Sequence, residues 1–158
     1  KLIRTTRYSD DGFKNGVFRG WLHNWSNYKN GKVDIEAYKQ RLLNGDERHI
    51  EMNPELIAEF KETIEMLTQR GIAVALVNTP TLDLLNNFEP DKYQMMVYWF
   101  QTYADEQPLV EYWDFNPEYS SHHELFYDRI HLNGEGQKVI SPLITEKVKY
   151  LLNVERGT

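Results

Sequence analysis

The sequence predicts an α/β domain built on a parallel sheet, and three observations carry that prediction. Ile72–Val77 is an apolar run without alternation, placed directly after a helical stretch. Leu109–Phe115 is a second strand-like run. Helical periodicity lies before, between and after the two. The order helix–strand–helix–strand–helix belongs to layered folds, in which helices cover strands running in one direction.

Residues 1–33 are polar, aromatic and turn-rich, with Asp10-Asp11-Gly12 and Lys14-Asn15-Gly16 reading as turns. Phe18, Trp21, Trp25 and Tyr28 recur at helical spacing and predict a packing stripe, with a carbohydrate-stacking or partner-binding face as the sharper reading. Residues 1–20 are also expected to add a strand or two, as a hairpin around Gly12 or Gly16. Asp34 suits the N-cap of a helix over 35–43 that ends at Asn44-Gly45. Asn53-Pro54 then pairs a cap with a proline at the first helical position. Leu56, Ile57, Phe60, Ile64 and Leu67 predict one buried face for a helix over 54–70, stopped by Gly71.

The first run, without alternation, predicts a strand buried on both faces. It ends at Asn78-Thr79-Pro80, and the second run at Asp114-Phe115. Between them Pro90 opens a helix with Tyr93, Met96, Val97, Phe100 and Tyr103 on its core side. A loop covers 116–132. Asn133 caps the last helix, whose stripe is Val139, Ile140, Leu143, Ile144, Val148, Leu151 and Leu152. Pro142 removes one backbone donor within it and predicts a kink or break.

Composition bounds the function. The chain has 158 residues, of which 41% are hydrophobic and 27% charged, which suits one domain with a sizeable core. We expect a single domain over 1–158, with a variable region at 1–50 and the α/β core at 54–152. A net charge of -6, with no basic run longer than two residues, argues against a nucleic-acid groove and a basic membrane-surface helix. Without cysteine there is no disulfide, thiolate–metal site or cysteine nucleophile. No apolar run reaches the roughly 18 residues that a membrane span needs.

The chemistry concentrates in Phe126-Tyr-Asp128-Arg-Ile-His131-Leu-Asn133-Gly-Glu-Gly136. A carboxylate three residues before an imidazole can reach its Nδ1–H, fix the tautomer and stabilise the imidazolium, leaving Nε2 to act as a general base. The pair falls between the last strand and the last helix, where open α/β sheets gather ligands.

That segment, followed by a terminal helix, resembles the last sequence block of the SGNH/GDSL hydrolase family. Within the family it is most similar to the branch acting on cell-surface polysaccharides and teichoic acids. Ala75-Leu-Val-Asn-Thr-Pro80 and Tyr112-Trp-Asp114-Phe115 are similar to that branch's strand ends, so the resemblance covers roughly residues 54–152. It implies a three-layer α/β/α, flavodoxin-like fold. It also implies a serine esterase or O-acyltransferase acting on acyl esters of a cell-envelope carbohydrate polymer. His131 would be the base and Asp128 its orienting carboxylate, with no cofactor and no metal. The implied partners are an acylated carbohydrate or cell-wall polymer and a membrane-bound O-acyltransferase, outside the cytoplasm.

The chain departs from the family at the nucleophile. It has neither Gly-Asp-Ser nor Gly-x-Asn-Asp, and Ser9, Ser26, Ser120, Ser121 and Ser141 do not stand in such a motif. With the start at Lys1-Leu2-Ile3-Arg4 and the shortage of strands, this predicts the C-terminal part of a longer protein whose N-terminal part brings the serine and oxyanion hole. Two other readings stand beside it. One is a catalytically inactive glycan- or protein-binding module of the same fold. The other is a metal-binding hydrolase using His122, His123, Glu124, Asp128 and His131. Asn78 and Asp114 are expected to hold loops by hydrogen bonds, and Asn133 to act as a cap.

Overall fold

The structure is a computed structural model that describes residues 17–18, 21–22, 31–47 and 49–154. It is a mixed α/β arrangement around a small parallel sheet. Two short strands, β1 (Val17–Phe18) and β2 (Trp21–Leu22), pair antiparallel. Then follow α1 (Ile35–Leu43), α2 (Pro54–Thr68), β3 (Val74–Asn78), α3 (Asp83–Asn86) and α4 (Pro90–Asp105). The chain continues with β4 (Val110–Asp114), α5 (Asn116–Tyr119), a 3-10 turn at His123–Leu125 and α6 (Gly134–Val154).

The helix boundaries follow local chemistry. Asp34 accepts the Ala37 amide at 2.9 Å, and Asn53 accepts the Glu55 amide at 2.8 Å. Each satisfies a donor that the first helical turn leaves without an intrahelical partner. Gly71, at φ +71°, ends the turn after α2 in the left-handed region, where a Cβ would be strained. α6 runs through Pro142 without the expected break. One lost amide is a small fraction of the bonds in a helix of 21 residues.

β3 and β4 pair in parallel with Val74 opposite Val110 and Asn78 opposite Asp114. Val74, Leu76, Val110 and Tyr112 point to one face, where Phe60 and Ile64 of α2 and Trp99, Tyr103 and Ala104 of α4 cover them. The Trp99 and Tyr103 rings stack at 5.5 Å between centroids, and Phe60 meets Tyr103 edge-on. Trp113 lies on the other face, with Lys147 of α6 over its ring at 5.5 Å. A second cluster, Tyr38, Leu82, Leu125 and Phe126, packs α1 against the loops that follow the strands.

Several expectations are corrected. Phe18 and Trp21 face each other in the β1–β2 ladder rather than along a helix; Trp25 and Tyr28 lie outside the described residues. β1 and β2 form a two-stranded sheet separate from that of β3 and β4. Gly12 and Gly16 lie outside the described residues. β3 is not buried on both faces, and Val77 is exposed. Leu56 of α2 and Val139, Val148 and Leu152 of α6 are likewise exposed. Among the described residues no helix is long and apolar enough to cross a membrane.

Candidate active site

The loop after β4 is a closed ring. Phe126, fully buried, bridges to Leu132 in antiparallel fashion, and the Tyr127 amide donates to the His131 carbonyl at 2.8 Å. Burying a side chain of this size contributes about 1.5–3 kcal/mol, so Phe126 anchors the ring to the core. Inside the ring, Asp128 Oδ1 accepts the amides of Ile130 at 2.9 Å and His131 at 2.8 Å. The same carboxylate meets His131 Nδ1 at 2.8 Å through Oδ2 and 3.0 Å through Oδ1. The sequence spacing therefore produces the expected pair, with Asp128 held in an Asx-type turn.

Burial is the largest single influence on Asp128 and raises its pKa. The His131 ring and the amides of Ile130 and His131 together outweigh it, so the pKa falls below its ordinary value. Asp128 is thus a stable anion at neutral pH, suited to holding the Nδ1–H tautomer. The His131 side chain is 46% exposed, so a ligand can approach it.

Two residues outside the ring that sequence reasoning missed, Tyr38 and Glu47, hold it through Arg129. Arg129 Nε donates to Glu47 Oε2 at 2.9 Å, and the Tyr38 hydroxyl donates to the same oxygen at 3.2 Å. The Glu47 side chain is only 2% exposed. Burial, then the negative charge of Glu47, push the Tyr38 phenol pKa up. Cutting the buried pair at Glu47 leaves Arg129 uncompensated. Glu47→Ala is expected to lower unfolding free energy by about 3 kcal/mol in urea denaturation. The signal was invisible in sequence because Glu47 lies in a loop far from Arg129.

Asn133 ties the ring to α6. Its Oδ1 accepts the amides of Glu135 and Gly136, each at 3.0 Å, which caps the helix as expected. Its Nδ2 lies within 3.1 Å of the Gly31 carbonyl, 2.7 Å of the Glu124 carbonyl and 3.3 Å of the Phe126 carbonyl. Gly31 itself sits where a Cβ would strike the Tyr127 ring at 2.4 Å.

The strand ends are equally organised. Asp114 Oδ1 accepts Asn78 Nδ2 at 3.0 Å and the Asn116 amide at 2.9 Å, the expected loop-holding role. Asn116 is buried, and its Oδ1 accepts the Thr81 amide at 2.9 Å and Asn86 Nδ2 at 3.0 Å. Asn86 and Asn116 were not singled out by sequence.

The histidines form separate pairs: His122 with Glu124, His123 with Asp83, and His131 with Asp128. This corrects the metal reading, since among the described residues no three His, Asp or Glu side chains converge to hold an ion. Ser120 and Ser121 lie in the turn after α5, and Ser141 sits on α6; Ser9 and Ser26 lie outside the described residues. Ser120 and Ser141 are engaged through their carbonyls, which accept the Asp83 amide and the Thr145 hydroxyl.

A surface carboxylate supplies a test of acid stability. Glu89, just before α4, is held to about 2 by its hydrogen bond to Lys92, then by those to the Ile50 amide and the His49 ring. A depressed carboxylate stabilises the fold above its ordinary pKa and loses that contribution as pH falls towards the folded value. The wild type should therefore be more stable than Glu89→Gln at neutral pH. The gap should close as pH drops from 4.5 towards about 2, read by thermal melting across that range.

Comparison of the chain with family models, with curated proteins and with solved structures finds no match in any of the three.

Proposed function

We propose that the chain is part of an SGNH-type serine esterase or O-acyltransferase, with His131 as general base and Asp128 as its orienting carboxylate. The observation that carries this is the Asp128–His131 hydrogen bond at 2.8 Å, made by an anionic carboxylate that two backbone amides also fix. The position supports it, since the loop follows the carboxyl end of β4. The packing of α2 and α4 on one sheet face and of Lys147 against Trp113 on the other supports the three-layer, flavodoxin-like form.

In this reading a serine Oγ attacks the acyl carbonyl carbon and His131 Nε2 takes its proton. The tetrahedral adduct collapses, the C–O bond to the alcohol breaks, and the imidazolium returns the proton to that alcohol. Water or an acceptor hydroxyl then releases the acyl group by the same steps in reverse. Asp128 balances the imidazolium at each stage. The described residues do not assign the serine, and we place it in a segment outside them. The substrate class is an acyl ester of a cell-envelope carbohydrate polymer, handled outside the cytoplasm, with a membrane-bound O-acyltransferase as partner. These follow from the same resemblance. Incubation of the full-length protein with p-nitrophenyl acetate and with an O-acetylated polysaccharide tests the reading. Release of nitrophenol or acetate above background supports it, and no turnover of either rejects it.

A further inference from the structure

A second concave site lies away from the Asp128–His131 ring. A cavity of about 560 Å3 opens between α3, α4 from Pro90 to Gln101, the end of β4 and α5. Its size falls within the range of small-ligand sites.

The lining has a particular chemistry. Tyr93, Tyr98 and Tyr112 contribute three aromatic rings. Tyr98 is 73% exposed, an unusual position for a large ring and one that offers its face to a ligand. Asn87, Gln94 and Gln101 add amides, each of which can donate and accept. Asp114 adds an acceptor, whereas Asp83 is paired with His123 Nε2 at 2.7 Å; among the described residues no lysine or arginine lines the cavity. Aromatic faces match the C–H faces of a pyranose ring, and amides and carboxylates match vicinal hydroxyls. The Asp114 carboxylate, with no lysine or arginine among the described lining residues, disfavours phosphates, sulfates and sugar acids.

The floor is rigid. Asp114 is fixed by Asn78 and the Asn116 amide, and Asn86 is bonded to Asn116. Burial, then the charge of Asp114, raise the Tyr112 phenol pKa and keep that group neutral. A floor fixed in this way loses little entropy on binding.

We propose that this cavity binds a neutral saccharide, one or two pyranose units long. The site does not use His131, so it stands or falls separately from the esterase reading. If both hold, the cavity would grip the polymer while the acyl ester is presented at His131.

The test is titration calorimetry of the full-length protein with cellobiose, maltose and N,N′-diacetylchitobiose, with digalacturonate as the anionic control. At least one neutral disaccharide should bind saturably. Digalacturonate should bind about tenfold more weakly or not at all. Tyr98→Ala, at an exposed position that should not disturb folding, should weaken the neutral sugar about tenfold. His131→Ala should leave affinity unchanged. The proposal is overturned by the absence of saturable binding of all three neutral sugars, by equal binding of digalacturonate, or by an unchanged affinity in Tyr98→Ala. Loss of ester turnover with sugar binding retained would reject the esterase reading alone.

Discussion

Replacing His131 by alanine is expected to lower kcat for ester hydrolysis by about 10⁴-fold while the fold survives. In the proposed mechanism the rate loss follows from removal of the group that takes the serine proton beside an anchored anion. Survival of the fold follows from position. The His131 side chain is half-exposed, and the ring's closure runs through its backbone: its amide bonds Asp128 and its carbonyl accepts from Tyr127. Stability should change by about 1 kcal/mol or less, as for other exposed ion pairs. Asp128→Asn is the sharper variant. The amide oxygen can still accept from Ile130 and His131, so the turn remains, but the charge that fixes the tautomer and balances the imidazolium is gone. A loss of about 10³–10⁴ in kcat with little change in KM is expected. Steady-state kinetics on p-nitrophenyl acetate, with circular dichroism to verify folding, checks both variants. A variant with near-wild-type kcat would remove His131 from the chemistry.

Gly136→Ala is expected to cost as much stability as Glu47→Ala. A Cβ on Gly136 would lie 2.2 Å from the Leu125 carbonyl oxygen and 2.9 Å from Leu132 Cδ2. The nearer obstacle is backbone, and that carbonyl already accepts the Asn133 amide at 2.9 Å. It cannot move without opening the cap of α6. The Gly136 amide is itself bonded to Asn133 Oδ1, so the helix start cannot retreat without losing that bond. Overpacking of this kind costs about 3 kcal/mol. In a domain of this size that lowers Tm by about 6–12 °C. Differential scanning calorimetry reads the shift directly. A Tm within a degree or two of wild type would show that the turn at Leu125 yields more easily than its geometry implies. Because the Asp128–His131 ring ends against the same cap, kcat should fall along with stability in this variant.

The two variants mark how far the sequence could be read. Asp128, His131, Asn133 and Gly136 sit within nine positions, and their bonds to one another span at most three residues. Short-range chemistry of this sort is written in spacing. The same holds for Asp34 and Asn53, whose side chains cap helices that begin where the sequence places them. Glu47, Asn86 and Asn116 were not legible because their partners are set by tertiary packing. Asn133 bonds Gly31 across a separation of 102 residues, and nothing local announces that contact. The stripe from Phe18 to Trp21 misled for a related reason. A spacing of three fits a helix, but two residues flanking a tight turn can also face each other across a hairpin. Val77 reads as core by composition, yet it is exposed, because burial of a central strand depends on neighbours that its own sequence does not encode.

Tyr93 and Val97 show the limit on the other helix. Their helical spacing reads as core, and in the structure both line the cavity beside Tyr98. Periodicity identifies which side chains share a face of α4, but only the placement of α3 and α5 decides whether that face meets solvent, protein or ligand.

The central claim is that His131 activates a serine. Treatment of the full-length protein with a fluorophosphonate, followed by mass-spectrometric mapping, tests it most directly. Wild type should give a single serine adduct, formed about 10²-fold or more slowly in His131→Ala. No serine adduct in the wild type, or equal labelling of the two proteins, would contradict it.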